Sequence, residues 1–192
     1  MKNFIEILEK LNVSYTLEND KLTINDDLDL SHTQIKELPK GLTVNGDLDL
    51  GYADLEAFPA DLTVGGDLNL SHTQINVLPN GLTIGGSLYL RDSNIKELAA
   101  DLTVGDSLYL CNTDLKELPD GLTVNRNLDL SHTQIKELPK GLTVGGCIDL
   151  NSTDIRALPD GLTVGGSLIL SDTPIKELPA DLTVGGSIIG MH

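Results

Sequence analysis

Tryptophan is absent from this 192-residue chain, and aromatic residues of all kinds make up only 3% of it. Because 40% of the residues are nevertheless hydrophobic, a core can form, but its side chains have to be aliphatic. The two cysteines, Cys111 and Cys147, are too few for a disulfide framework. They favour a reducing compartment, and we expect a cytoplasmic protein.

Long hydrophobic runs and positive charge are also scarce. No segment approaches the roughly 18 apolar residues that a transmembrane helix needs, and charged residues interrupt residues 1–12, unlike a signal peptide. Lysine and arginine number 13 against 29 aspartates and glutamates, a net charge of −16. That balance repels nucleic acid and anionic membranes, and it favours a basic protein partner.

What the chain does have is an internal repeat. A tripeptide, Leu-Thr-Val or Leu-Thr-Ile, recurs every 20 residues without insertion or deletion, and it begins at Leu22, Leu42, Leu62, Leu82, Leu102, Leu122, Leu142, Leu162 and Leu182. Such a fixed period is typical of solenoids, in which stacked coils bury apolar side chains that one coil cannot bury alone.

Each coil combines a strand, a bend, an extended return and a glycine turn. In the coil that begins near Leu62, Leu68-Asn69-Leu70 alternates with the period of a strand, Pro79 rules out a continuing helix, and Gly65-Gly66 indicates a turn. The sequence therefore predicts a mainly β, right-handed solenoid of about nine coils with one parallel sheet, in which the leucines and valines point inward.

The first 25 residues differ from the repeat. The segment from Asn3 to Leu11 predicts a short helix with Phe4, Leu8 and Leu11 on one face, and residues 15–17 and 22–24 predict a hairpin. We therefore divide the chain into an N-terminal cap, residues 1–25, and a solenoid, residues 26–192.

A longer motif in the coil that begins near Leu62 is Leu68-x-Leu70-x-x-Thr73-x-Ile75, followed by Leu78-Pro79. It resembles the L-x-L-x-x-N-x-L pattern of the leucine-rich repeats, and the Leu-Pro that follows resembles their short 20-residue bacterial and phage forms. The resemblance covers about residues 22–190. It implies a right-handed solenoid whose concave sheet grips proteins. Threonine replaces the family's inward asparagine, and we expect its hydroxyl to supply part of the bonding between coils.

Residues that flank the inward leucines of each strand are expected to face solvent in three rows. The first row begins at residue 27, the middle row at residue 29 and the third row at residue 31. Together they give an acidic N-terminal third, a tyrosine and arginine centre and an apolar C-terminal end. We predict that a protein partner binds Asp27, Asp29, Asp47, Asp49, Asp67, Asn69, Tyr89, Arg91, Tyr109, Asp129 and Asp149.

Each part of this surface has an alternative explanation. The stacked carboxylates repel one another, which a basic partner would relieve, but they also fit a face that only keeps the protein soluble. Tyrosine and arginine are typical of interface centres, although tyrosine also suits any sheet surface. Ile169 and Ile189 lie next to an open last strand and predict a homodimer, unless a further region or a crystal contact covers them.

The sequence gives no pattern for catalysis, a cofactor or a metal. His32, His72 and His132 share one coil position but lie two and three coils apart, too far for one metal ion. We therefore expect a protein-binding scaffold without enzymatic activity, with a role in conflict between phage or bacteria and their hosts. The alternative is an acidic mimic of nucleic acid that occupies a DNA- or RNA-binding protein, although the acidic rows lose their charge at Ser87.

Overall fold

The computed structural model describes residues 2–59 and 61–191. A helix, α1 (Lys2–Lys10), precedes two antiparallel strands, β1 (Tyr15–Glu18) and β2 (Lys21–Ile24). The coils are 20 residues long, and the first begins at residue 21. Each coil after the first adds one strand to each of two stacks of parallel strands. The predicted mainly β solenoid is confirmed.

The first stack forms one sheet of nine parallel strands, the strand face. In the order of the chain it contains β3 (Leu28–Asp29), β5 (Leu48–Asp49), β7 (Leu68–Asn69), β9 (Leu88–Tyr89), β11 (Leu108–Tyr109), β13 (Leu128–Asp129), β15 (Ile148–Asp149), β17 (Leu168–Ile169) and β19 (Ile188–Ile189). Residues 20 apart lie opposite each other throughout, as in the pair Leu108 and Leu128. The rungs are therefore in register from one end of the sheet to the other.

The expectation of one parallel sheet is wrong, because the Leu-Thr-Val segments form a second stack of strands. It begins with the hairpin strands β1 and β2 and continues with β4 (Leu42–Val44), β6 (Thr63–Val64), β8 (Thr83–Ile84), β10 (Thr103–Val104), β12 (Thr123–Val124), β14 (Thr143–Val144), β16 (Thr163–Val164) and β18 (Thr183–Val184). The physical reason is visible in the tripeptide, where an outward threonine lies between two inward aliphatic residues with the period of a strand.

The second stack is divided into a six-stranded and a four-stranded sheet, between β10 and β12. Consecutive coils approach closely at a glycine position, where a Cβ on Gly105 would collide with the carbonyl oxygen of Gly85. Asn125 carries a Cβ at the equivalent position of the next coil. At this break its side-chain amide donates to the carbonyl oxygen of Gly105 at 2.9 Å.

The core runs along the whole solenoid and is built from the inward aliphatic side chains. In the third coil Val64, Leu68, Leu70 and Ile75 are each at most 2% exposed. The hydroxyl of Thr73 donates to the carbonyl oxygen of Leu70 at 2.7 Å, within the same coil. The expectation that this threonine joins neighbouring coils is therefore wrong, because the short side chain reaches only its own turn.

The N-terminal cap covers one end of the core. Phe4 and Leu8 are buried, but Leu11 lies beyond the end of α1 and is 46% exposed, contrary to the expected third member of the apolar face. The predicted hairpin is present, and β2 also pairs in parallel with β4, so the hairpin is continuous with the solenoid. Since α1 has nine residues, several of them charged, the described part of the chain contains no helix that could cross a bilayer.

Candidate partner-binding face

The strand face carries all three predicted rows, but their side chains are oriented differently. In the middle row, residues alternate with fully buried leucines such as Leu108 and Leu110, and the register places each member directly beside the next. The middle row is therefore continuous along the sheet, in the order Asp29, Asp49, Asn69, Tyr89, Tyr109, Asp129, Asp149, Ile169 and Ile189.

The first row is a hydrogen-bonded ladder. The Oδ1 atom of Asp27 accepts the backbone amide of Asp47 at 2.8 Å, Asp47 accepts that of Asp67 at 2.7 Å, and Asp67 accepts that of Ser87 at 2.6 Å. The same contact continues from coil to coil with other acceptors, namely Ser87, Ser107, Asn127, Cys147 and Ser167. Each rung thus holds the backbone of the next.

This ladder changes the interpretation of the acidic residues. Ser87 and Ser107 are only 6% and 3% exposed, so the expectation that the whole first row faces solvent is wrong. The side chain turns along the sheet because the amide of the next coil needs an acceptor there. The carboxylates of Asp27, Asp47 and Asp67 have this structural task whether or not a partner binds.

The carboxylates of the middle row are used locally. Those of Asp29, Asp49, Asp129 and Asp149 each accept the backbone amide two residues later, at 2.8–2.9 Å. Hydrogen bonds from Ser31 lower the pKa of Asp29, whereas burial raises the pKa of Asp149. Five of the seven carboxylates of the three rows lie in the N-terminal third of the face, those of Asp27, Asp29, Asp47, Asp49 and Asp67.

Two tyrosines lie at the centre of the strand face. The rings of Tyr89 and Tyr109 stack with centroids 4.8 Å apart and planes 9° from parallel. The phenol of Tyr89 donates to Oδ2 of Asp67 at 3.3 Å, and burial is the main cause of its raised pKa. Both side chains are half-buried. Tyr89 is thus anchored through Asp67, and Tyr109 packs on its ring.

Arg91 lies in the third row of the same coil as Tyr89. Its side chain is 65% exposed, and its Nε atom lies 3.1 Å from Oδ2 of Asp92. The other carboxylate oxygen of Asp92 accepts from the side-chain amide of Asn112, and this bond is the main cause of the lowered pKa of Asp92. Next to Arg91, Cys111 is buried, which raises the pKa of its thiol to about 11.

A shallow cleft of about 310 Å³ adjoins the tyrosine pair on its N-terminal side. It is lined by Asp47, Leu48, Asp49, Asp67, Asn69, Ser71 and Tyr89. Five of the eleven predicted partner-binding residues thus line this cleft, and Tyr109 stacks on one of them, Tyr89. Asp129 and Asp149 lie one and two rungs beyond Tyr109. Asp27 and Asp29 lie one rung outside it.

One feature of this region was missed by the sequence analysis, a column of stacked rings. Tyr52 lies between His32 and His72, with centroid separations of 4.7 and 4.1 Å and planes within 11° of parallel. All three residues have φ between 55° and 59°, in the left-handed region, and Tyr52 is 52% exposed. The recurrence of histidine at one coil position was the available signal, but it gave no indication that Tyr52 completes a stack.

The apolar end of the face lies on the last two rungs. Ile169 is half-buried, whereas Ile189 is 47% exposed, and the neighbouring inward residue Ile188 is 41% exposed. β19 and β18 are edge strands of their sheets. The homodimer expected from these residues stays a prediction.

The described residues contain no group of three or more histidine, cysteine, aspartate or glutamate side chains placed to hold a metal ion. No protein-family model and no curated protein sequence matches this chain.

Proposed function

We propose that this protein is a non-enzymatic scaffold that binds a basic protein partner on its strand face. The observation that supports this most is the grouping of the Tyr89 and Tyr109 stack with Arg91 on a face whose other charged residues are all acidic. Tyrosine and arginine are enriched where interface energy concentrates, since they offer large contact areas at small entropic cost. The held orientation of the rings reduces that cost further.

The charge distribution supports a basic partner. Carboxylates lie on both sides of the tyrosine pair along the middle row, at Asp49 and at Asp129, and the cleft adds Asp47 and Asp67. Lysine or arginine side chains placed there would relieve the repulsion between neighbouring carboxylates. They would also speed up association with a protein of charge −16.

The test is affinity capture with the immobilised protein, followed by identification of captured proteins by mass spectrometry. The variant Tyr89→Ala with Tyr109→Ala is expected to lose at least tenfold in capture, because hot-spot truncations cost about 2 kcal/mol or more. Thr83→Ala with Thr103→Ala is the matched control, since these exposed residues lie on the second stack of the same two coils. Equal capture by the tyrosine variant and the control would end this proposal.

The alternative function, mimicry of nucleic acid, calls for carboxylates along the full length of the solenoid. The first row instead changes from aspartate to serine at Ser87, and its carboxylates already accept backbone amides. Competition distinguishes the two functions. Duplex DNA should displace a partner held by mimicry, and it should not displace a partner that is held by the tyrosine pair and does not bind DNA.

Self-association is a second proposed interaction. Ile189 is exposed on an edge strand, and a second copy could cover both the side chain and the strand edge. Light scattering at high micromolar concentration is expected to show a dimer that Ile189→Lys converts to a monomer. A wild-type protein that is monomeric under these conditions would contradict the proposed dimer.

We propose further that the chain is a leucine-rich repeat protein of the short bacterial or phage type. The 20-residue period, the Leu-x-Leu strand and the following Leu-Pro support this family, whereas the bond that Thr73 makes within its own coil departs from it. A cytoplasmic role in conflict between phage or bacteria and host belongs to the same proposal. The free thiols of Cys111 and Cys147 support a reducing compartment.

A further inference from the structure

We propose that the basic partner presents one carboxylate to Arg91, and that Asp92 positions Arg91 to receive it. This inference rests on the proposed function of the strand face and adds the chemistry of one contact. It makes Arg91 the residue that determines the register in which a partner lies along the solenoid.

Arg91 differs in charge from everything around it on the strand face. The three rows contain one cation, Arg91, and seven carboxylates, those of Asp27, Asp29, Asp47, Asp49, Asp67, Asp129 and Asp149. Its neighbours in the third row, Ser71 and Cys111, are uncharged, since burial keeps the thiol protonated at neutral pH. A partner that is basic along its whole length would therefore meet a like charge at this single place.

The side chain of Arg91 is held at one end and open at the other. Its Nε atom is bound to Oδ2 of Asp92, and among the described residues its terminal amino groups have no hydrogen-bond partner. With 65% of the side chain exposed, these groups are accessible to a partner. A carboxylate is the acceptor that matches two parallel guanidinium N–H groups best.

Asp92 is itself fixed from two other coils. Asn112 of the next coil donates to its Oδ1 atom, and Nε2 of His72 in the preceding coil lies 3.5 Å from its Oδ2 atom. Asp92 has φ of 54°, a backbone conformation that asparagine also adopts readily. Asp92→Asn therefore removes the charge that holds Arg91 while it keeps the turn.

The experiment is a selection of 12-residue peptides from a random displayed library on the immobilised full chain. The wild type is expected to enrich lysine- and arginine-rich peptides that carry aspartate or glutamate at one fixed position. With Arg91→Glu, lysine or arginine should replace the acid at that position. Lys96→Glu, the same charge reversal on an exposed residue of the same coil, should leave the selected pattern unchanged.

The affinity of one selected peptide is then compared with that of its glutamine counterpart. The wild type should prefer the acidic peptide by about tenfold or more, as expected for a hydrogen bond between charged groups. Asp92→Asn should reduce this preference and leave binding of the glutamine peptide nearly unchanged, an effect that a merely structural role would not produce.

The outcomes separate this inference from the proposed function. Basic peptides without a fixed acid, enriched equally by the wild type and Arg91→Glu, would overturn the role of Arg91 and leave the basic-partner proposal intact. A selection that enriches no basic peptide, or the same peptides on the Tyr89→Ala and Tyr109→Ala variant, would contradict the proposed function itself, and the inference would fall with it.

Discussion

The first and middle rows of the strand face share a sheet, a spacing and, in the N-terminal third, even a residue type, yet their side chains have different roles. In the first row, Asp47 turns along the solenoid and accepts a backbone amide of the next coil. In the centre of the middle row, Tyr89 and Tyr109 stack on each other and lie half-exposed beside Arg91. The aspartates of the first row therefore belong to the ladder, whereas the variable middle row forms the surface that we propose for a partner.

The reason for the difference lies in the backbone. Residues of the middle row belong to strands whose amides and carbonyls pair with the neighbouring rungs, so their side chains are free to vary. First-row residues lie at the bend before each strand, where the amide of Asp67 has the side chain of Asp47 as its acceptor. That position accordingly carries only residues with an acceptor atom, namely aspartate, serine, asparagine and cysteine.

The comparison predicts its largest effect on stability at Asp67. Asp67→Ala leaves the amide of Ser87, itself only 6% exposed, without an acceptor and should lower the free energy of unfolding by about 1–3 kcal/mol. Arg91→Ala, at an exposed position, should change it by less than about 0.5 kcal/mol. Urea denaturation of both variants measures the difference.

Asp67→Asn is the matched control for this ladder contact. Asn127 already accepts the amide of Cys147 at 2.9 Å in the same row, so an asparagine oxygen suffices there. Asp67→Asn should therefore retain most of the stability that Asp67→Ala loses. Identical unfolding curves for Asp67→Ala and the wild type would show that the ladder contributes nothing measurable.

The fold was largely predictable because the inward leucines that determine it recur at a fixed period. The 20-residue period and the alternation of Leu68-Asn69-Leu70 are local patterns, and they correctly predict stacked parallel strands. The second stack was missed although Leu62-Thr63-Val64 alternates in the same way, because only the Leu-x-Leu segment of each coil was assigned to a parallel sheet. Burial of Leu62 and Val64 around an exposed Thr63 shows that the same argument applied there.

The site was less predictable because its contacts join residues 20 positions apart with several possible partners. Period and register correctly place Tyr89 beside Tyr109. They do not specify whether a carboxylate such as that of Asp47 points outward or along the sheet, since that depends on an unpaired amide at the bend. The stack of Tyr52 with His32 likewise depends on the left-handed backbone at both residues.

The two thiols lead to a prediction of intermediate size, a difference in reactivity between the first and third rows. Cys147 belongs to the ladder and is half-exposed, whereas Cys111 of the third row is 7% exposed and has its pKa raised to about 11 by burial. At pH 8 only about 0.1% of Cys111 is thiolate, the reactive form. Alkylation with iodoacetamide should therefore modify Cys147 first, as peptide mass spectrometry would record. Faster modification of Cys111 would contradict the burial of the third row at this rung.

The smallest effect concerns the one direct contact between the ladder and the tyrosine pair. Burial is the main cause of the raised pKa of Tyr89, and the nearby carboxylate of Asp67 raises it further because it disfavours a second negative charge. Asp67→Asn removes that charge but leaves the burial, so the pKa of Tyr89 should fall while staying above its ordinary value. NMR titration of ring-labelled tyrosine resolves Tyr89 from the other three tyrosines.

Asp27→Asn supplies the control for this titration, since it neutralises the same row two rungs from Asp67 and makes no contact with Tyr89. It should leave the titration of Tyr89 unchanged. Because Tyr89 and Asp67 are partly shielded from solvent, 1 M salt should reduce the effect of Asp67 on the pKa of Tyr89 without abolishing it. Equal titration curves for Asp67→Asn and the wild type would mean that the ladder and the tyrosine pair are electrostatically independent. A partner that binds the rings would then gain nothing from the carboxylate of Asp67 beside them.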